Sequence, residues 1–191
     1  MWIDGEGFGD GQLCFIALGG CDMDELLAEL KAVAGAGFYS VALFTALALP
    51  DICAALESED GRATAARYKT WFDKWVAVNY PAIRDGQVAI SGAVCYAYRC
   101  GLLHQGRSMH KDLGYARVLF LTPGPLTLHN SVLMDALAVD IPSFVEDISV
   151  GVRAWIKSAQ GTEPFDSHYA NFMKRHRGGL APYVVGVDLI S

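Results

Sequence analysis

Between Lys31 and Asp51 lie 19 consecutive residues without a formal charge, AVAGAGFYSVALFTALALP, and this run restricts the chain more than any other segment. By length alone it would serve as a membrane-spanning helix. Its internal features point to burial inside protein instead. Gly35 and Gly37 flank Ala36 and mark the end of one helix rather than the middle of another. What remains, Phe38–Leu49, has the length of a buried core helix. No aromatic belt marks both ends, and no basic cluster flanks the run to set an orientation. The expectation is a central core helix and no membrane partner.

Composition narrows what surrounds that helix. Of 191 residues, 52% are hydrophobic and only 19% charged, and the mean hydropathy is +0.25. Such a chain is too apolar to remain disordered. It must bury its surplus in an unusually large core or against a second copy. Fifteen Lys+Arg against 21 Asp+Glu give a net charge of −6, which argues against a general polyanion binder, because non-specific nucleic-acid affinity comes from cations on phosphates. Cysteines stand at 14, 21, 53, 95 and 100, an odd number with no CxxC pair. That usage fits reduced thiols in a cytoplasmic protein rather than a disulfide framework or a zinc ribbon. The opening MWIDGEGFGDGQ lacks a basic region followed by an apolar stretch, so it does not read as a secretory signal.

Residues 1–21 read as a flexible terminus with a short strand at Leu13–Leu18, and GEGFGDG is not a phosphate loop, since no strand precedes it and no helix opens on it. Asp22 or Asp24 caps a helix carrying Leu26, Leu27, Leu30 and Val33, ending near Gly35–Gly37. A second helix, Phe38 to about Leu56, is apolar on almost every side, with Pro50 expected to kink or restart it. Thr64 caps a third, with Tyr68, Trp71, Phe72, Trp75 and Val76 on its inner face, running to about Tyr80. A fourth spans Ser91 to about Gln105 and is closed by Gly106. Then the pattern changes. Arg117–Leu121, Leu126–His129 and Val132–Val139 predict a small antiparallel hairpin or meander around the TPGP turn. Pro142 opens a helix to Ser158, a last helix runs from about Pro164 to His176, and an apolar tail, YVVGVDLI, follows. The reading is one mainly α domain: a helical bundle over 22–107, a β insertion over 115–140, and C-terminal helices and tail over 141–191.

The chemistry-bearing stretch is YAYRCGLLHQGR, Tyr96–Arg107, at the end of the fourth helix. Arg99 and His104 are the only cation and imidazole in a small and apolar neighbourhood until Arg107. Ala93, Ala97, Cys100 and Gly101 recur at helical spacings and would let a second helix come close. The stretch resembles the signature of the HEPN superfamily, an Arg, four to six residues, then a His near the end of a bundle helix, here Arg99-CGLL-His104. The succession LALPDICAALE, RYKTWFDKW, CYAYRCGLLHQG extends the likeness over roughly Phe38 to Arg107. The resemblance implies a four-helix up-down bundle and, in many members, metal-independent RNA cleavage by paired motifs at a homodimer interface. It also implies a toxin or phage-defence setting, in which an antitoxin would be a partner. No cofactor or metal is implied.

The residue types suit that chemistry. RNA carries its own nucleophile, the 2′-hydroxyl. An imidazole moves protons near neutral pH, and a guanidinium neutralises phosphate and its transition state. Asp51, Tyr98, Cys100 and Arg107 are supporting candidates. Five residues apart on an ideal helix, however, Arg99 and His104 point about 140° from each other, so convergence would need a frayed helix end or a second copy. The chain also departs from the family pattern: Cys100 follows the Arg where many active members have a polar residue, often Asn, and a thiol is a poor hydrogen-bond donor. A structural reading stands beside the functional one. In it His104 caps carbonyls at the helix end and Arg99 pairs with Asp51 or Glu57. Zinc on Cys95, Cys100, His104 and His110 fits no standard spacing, and Lys174–Arg177 reads as a solvated helix end.

Overall fold

A computed structural model describes residues 22–81, 89–107 and 114–191. The strand expected at Leu13–Leu18 lies outside these residues, as does His110. The described chain is mainly α. Its elements in order are α1 (Asp22–Gly35), α2 (Tyr39–Leu56), α3 (Ala65–Trp75) with a 3₁₀ turn at Ala77–Asn79, α4 (Gly92–Gln105), β1 (Arg117–Leu121), β2 (Ser131–Leu133), β3 (Ala136–Asp140), α5 (Ile141–Ala159) and α6 (Phe165–Tyr169). Four two-residue strands close it: β4 (Arg175–His176), β5 (Gly179–Leu180), β6 (Val184–Val185) and β7 (Leu189–Ile190).

α2 occupies the centre, in contact with α1, α3, α4 and α5. Ala42, Leu43, Ala46, Leu47, Leu49, Cys53, Ala54 and Leu56 bury its inner faces. By length and composition this is the one described helix that would cross a membrane, but half of it is buried within the protein. Pro50 does not interrupt it: the helix runs through Pro50, which is itself buried. The proline forgoes one hydrogen bond to the carbonyl four residues back, and packing on several sides holds the helix across the gap. The predicted cap at Thr64 forms, whereas Asp22 and Asp24 both fall inside the first turn of α1 instead of capping it; Ser91 and Asp140 act as further caps. Thr64 Oγ1 accepts from Arg67 N–H at 3.2 Å and Ser91 Oγ from Val94 N–H at 3.4 Å, while Asp140 Oδ2 accepts from Ser143 N–H at 3.0 Å with Pro142 in the first turn of α5.

Close helix contacts depend on two glycines. A Cβ at Gly92 would stand 2.8 Å from Lys69 Cα and nearer still to its carbonyl oxygen, so α4 meets α3 backbone to backbone. A Cβ at Gly151 would stand 2.7 Å from Val76 Cγ2 and 2.9 Å from the Trp75 carbonyl, which brings α5 against the end of α3. The core they close is aromatic: Trp71 and Trp155 meet edge to face at 6.0 Å, and Phe72 stacks on Phe144 at 6.4 Å.

Four expectations are corrected. The small sheet is neither a simple hairpin nor a meander: its order is β1-β3-β2, with β1 parallel to β3 and only β2–β3 antiparallel. Leu126–His129 is not a strand; Pro123 and Pro125 cannot donate to a ladder, and the segment serves as the crossover a parallel pair requires. The third helix stops at Trp75 and gives way to the 3₁₀ turn instead of reaching Tyr80. The last helix covers only Phe165–Tyr169. Lys174 exchanges both backbone bonds with Ser191, so the tail is spent on nested ribbons, β4–β7 enclosing β5–β6.

Two outcomes follow from this packing. Gly92→Ala should destabilise the protein by about 1–3 kcal/mol, because backbone cannot yield as a side chain would; urea unfolding measures it, and an unchanged midpoint would contradict the close approach. Burial raises the thiols of Cys53 and Cys95 well above their ordinary range. Their neutral form is the folded one, so this contribution is intact below about pH 8.5 and is lost as pH rises, by up to about 1.4 kcal/mol per pH unit per thiol. Among the described cysteines, half-buried Cys100 should be alkylated first and the buried pair only on unfolding, as peptide mass mapping would show.

Candidate functional site

α2 and α4 each carry a single formal charge, Asp51 and Arg99. They are partners: Arg99 Nε donates to Asp51 Oδ2 at 2.7 Å. Both side chains are largely withdrawn from solvent, 23% exposed for Arg99 and 17% for Asp51. Burial alone would disfavour charge on Arg99, but the hydrogen bond and charge of Asp51 more than offset it and raise the guanidinium above its ordinary pKa. Of the two carboxylates that Arg99 was expected to choose between, Glu57 is committed elsewhere, accepting from Trp155 Nε1 at 2.8 Å.

The same guanidinium reaches the candidate imidazole. Arg99 Nη1 lies 2.9 Å from His104 Nε2. The 140° divergence expected from helix geometry is thus overcome within one chain. The long arginine side chain spans it in the last turns of α4. No fraying is needed, since α4 stays helical to Gln105 and closes on Gly106, whose φ of 63° is left-handed. The N–H of Arg107 returns to the Gly101 carbonyl at 3.0 Å. A Cβ at Gly101 would lie 2.9 Å from the Arg107 carbonyl oxygen, so this glycine admits the chain's own reversal. Among the described residues His104 bonds no helix carbonyl; its Nε2 faces Arg99.

The supporting candidates divide. Asp51 belongs to the constellation. Cys100 borders it, with Sγ 3.9 Å from Arg99 Nη1. Tyr96 joins from one turn earlier: a hydrogen bond to the Cys100 thiol first, then burial, raises its hydroxyl above the tyrosine norm. Tyr98 faces the opposite way, buried at 2% exposure with its ring edge-on to Phe120, and its hydroxyl has no partner among the described residues. Arg107 is exposed beyond the helix end. No cluster of three or more His, Cys, Asp or Glu able to hold a metal occurs among the described residues. Lys174–Arg177 is not a helix end: Arg175 pairs with Glu25 and Glu29, and Arg177 with Glu25, on α1.

A second polar cluster had no signal in the sequence. Asp147 Oδ2 receives Tyr80 Oη and His129 Nε2, each at 2.8 Å. Burial first and the Asp147 charge second push the Tyr80 hydroxyl far above its ordinary pKa. Next to it, Asn130 sits at a φ of 48° and accepts from Ile90 N–H at 3.0 Å. These residues tie the approaches to α4 and β2 to α5. Their separations of 67 and 18 positions leave no local pattern to read.

Comparison of this chain with protein-family models, with curated proteins and with solved structures gave no match.

A double-mutant cycle on Asp51→Asn and Arg99→Gln should give a coupling of about 1–2 kcal/mol, above an exposed pair because both groups are partly desolvated. A coupling near zero would show that the two charges fold independently.

Proposed function

We propose that this protein is a HEPN-type endoribonuclease that cleaves RNA without a metal ion, with Arg99 and His104 as its catalytic residues. The observation that carries the reading is the contact of the two candidate groups at the exposed end of α4, anchored by Asp51. The order of α1 to α4 is compatible with the four-helix up-down bundle of that superfamily. His104 Nε2 takes the proton of a ribose 2′-hydroxyl, the 2′-oxygen bonds to phosphorus, and the bond from phosphorus to the 5′-oxygen breaks. That oxygen leaves with a proton from solvent, and the product is a cyclic phosphate. Arg99 neutralises the non-bridging oxygens as charge builds on them.

A homodimer belongs to the same proposal. Phe38, Val41 and Phe44 are 63%, 54% and 38% exposed. Val41, Phe44 and Ala48 follow one another at helical spacing towards Asp51, so apolar surface adjoins the site. A second copy seated there would bring two Arg/His pairs to one cleft and cover part of the apolar surplus. A cytoplasmic toxin or phage-defence role, with an antitoxin partner, rests on the family likeness alone.

The second reading is a non-catalytic HEPN-like module that binds nucleotides or RNA, or only oligomerises, with a structural Arg/His pair. The neutralisation of Arg99 by Asp51 and the thiol at Cys100 favour it. Purified protein, incubated with RNA in chelator, separates the two. Under the enzymatic reading wild type cleaves, His104→Ala loses about 10²–10⁴-fold and Arg99→Ala about 10²–10³-fold. Intact RNA with wild type, or equal cleavage by both variants, overturns it. Light scattering at micromolar concentration should report a dimer.

A further inference from the structure

We propose that Arg99 is an anion-operated latch on His104: in the free chain the guanidinium occupies the imidazole Nε2, and a phosphodiester that takes the guanidinium frees that nitrogen to accept a proton. The inference rests on Arg99 and His104 forming the RNA site and adds how that site is turned on.

A guanidinium only donates hydrogen bonds and stays protonated. In a bond between Arg99 Nη1 and His104 Nε2 at 2.9 Å, the imidazole nitrogen must therefore accept. A neutral imidazole has one accepting nitrogen and one N–H, so the proton resides on Nδ1 and the lone pair that a base would use is spent on Arg99. The closed arrangement can hold an imidazole in place but cannot take a proton from a substrate through Nε2.

What opens it follows from the other end of the guanidinium. Asp51 holds Nε at 2.7 Å, so the group is tethered and its Nη edge can change partners without leaving the site. Among the described residues, Tyr68, Tyr96 and Cys100 are the other titratable neighbours, and none supplies a formal negative charge in its ordinary protonated state. A phosphodiester offers two oxygens sharing one negative charge, a match for the Nη pair. The guanidinium is ionised in both bonds, but only the phosphodiester adds a formal negative charge and a second oxygen to the acceptor side, so phosphate has the advantage over a neutral imidazole for the Nη edge. Substrate binding and release of the base become one event, and His104 is withheld until a phosphate is in place.

The test uses the full chain with ¹⁵N-labelled histidine and long-range ¹H–¹⁵N correlation spectra. The probe is a DNA oligonucleotide, which carries phosphodiesters but lacks the 2′-hydroxyl and is not cleaved. Free protein should show His104 as the Nδ1–H tautomer, and saturating probe should shift the Nε2 resonance to its released position. In Arg99→Ala that resonance should already lie at the released position and should not move with probe, with circular dichroism confirming the fold. An Nε2–H tautomer in the free protein, an Nε2 signal unmoved by probe, or identical free positions in wild type and Arg99→Ala overturns the latch. RNA left intact by wild type would defeat the ribonuclease reading without altering these spectra, so the two failures are distinguishable.

Discussion

A helix as apolar as α2 can be stable only at the centre of the protein, and whatever charge it carries there must find a partner. Its one charge is Asp51, and the single charge of α4, Arg99, answers it. Removing either partner would strand the other in a partly desolvated setting, which is costlier than losing the bond itself. The ion pair therefore fixes the position of Arg99, and through it the relation of Arg99 to His104. Core packing and site geometry meet at this contact.

The close approach of α3 to α4 contributes on the other flank. Gly92 admits the backbone of Lys69, and Asp73 Oδ1 accepts the Gly92 N–H at 2.6 Å, satisfying one of the open donors at the start of α4. The helix is thus tethered at its N-terminus to α3, in its middle to α2, and closed at its end by Gly106. An arginine on a helix held in this way loses little further freedom on engaging a ligand, which is the condition for precise positioning of a charged group.

Local chemistry made the helices readable. Thr64, Ser91 and Gly106 mark helix ends by the bonds they accept or the φ they adopt, and each of those ends lies where its residue type places it. The sheet was not readable to the same depth, because a short apolar run such as Arg117–Leu121 has no local sign of whether its partner runs parallel or antiparallel. In the tail, the backbone pairing of Lys174 with Ser191 is decided by non-local bonds. At the site, residue types named Asp51, Arg99 and His104, but ideal helix angles separated Arg99 from His104. Those angles describe Cα–Cβ directions, whereas the reach of an arginine is several bonds longer. The Tyr80–Asp147–His129 cluster is assembled wholly by tertiary packing.

Asp51 anchors Arg99 within a single chain. The Nε–H of Arg99 reports on this most directly, because a guanidinium donor held by a buried-edge carboxylate exchanges with water far more slowly than a free one. With ¹⁵N-labelled arginine at neutral pH, Arg99 Nε–H should give a resolved, slowly exchanging resonance that collapses to free-arginine exchange in Asp51→Asn. An Arg99 Nε–H that exchanges as fast as free arginine in the wild-type chain would contradict it.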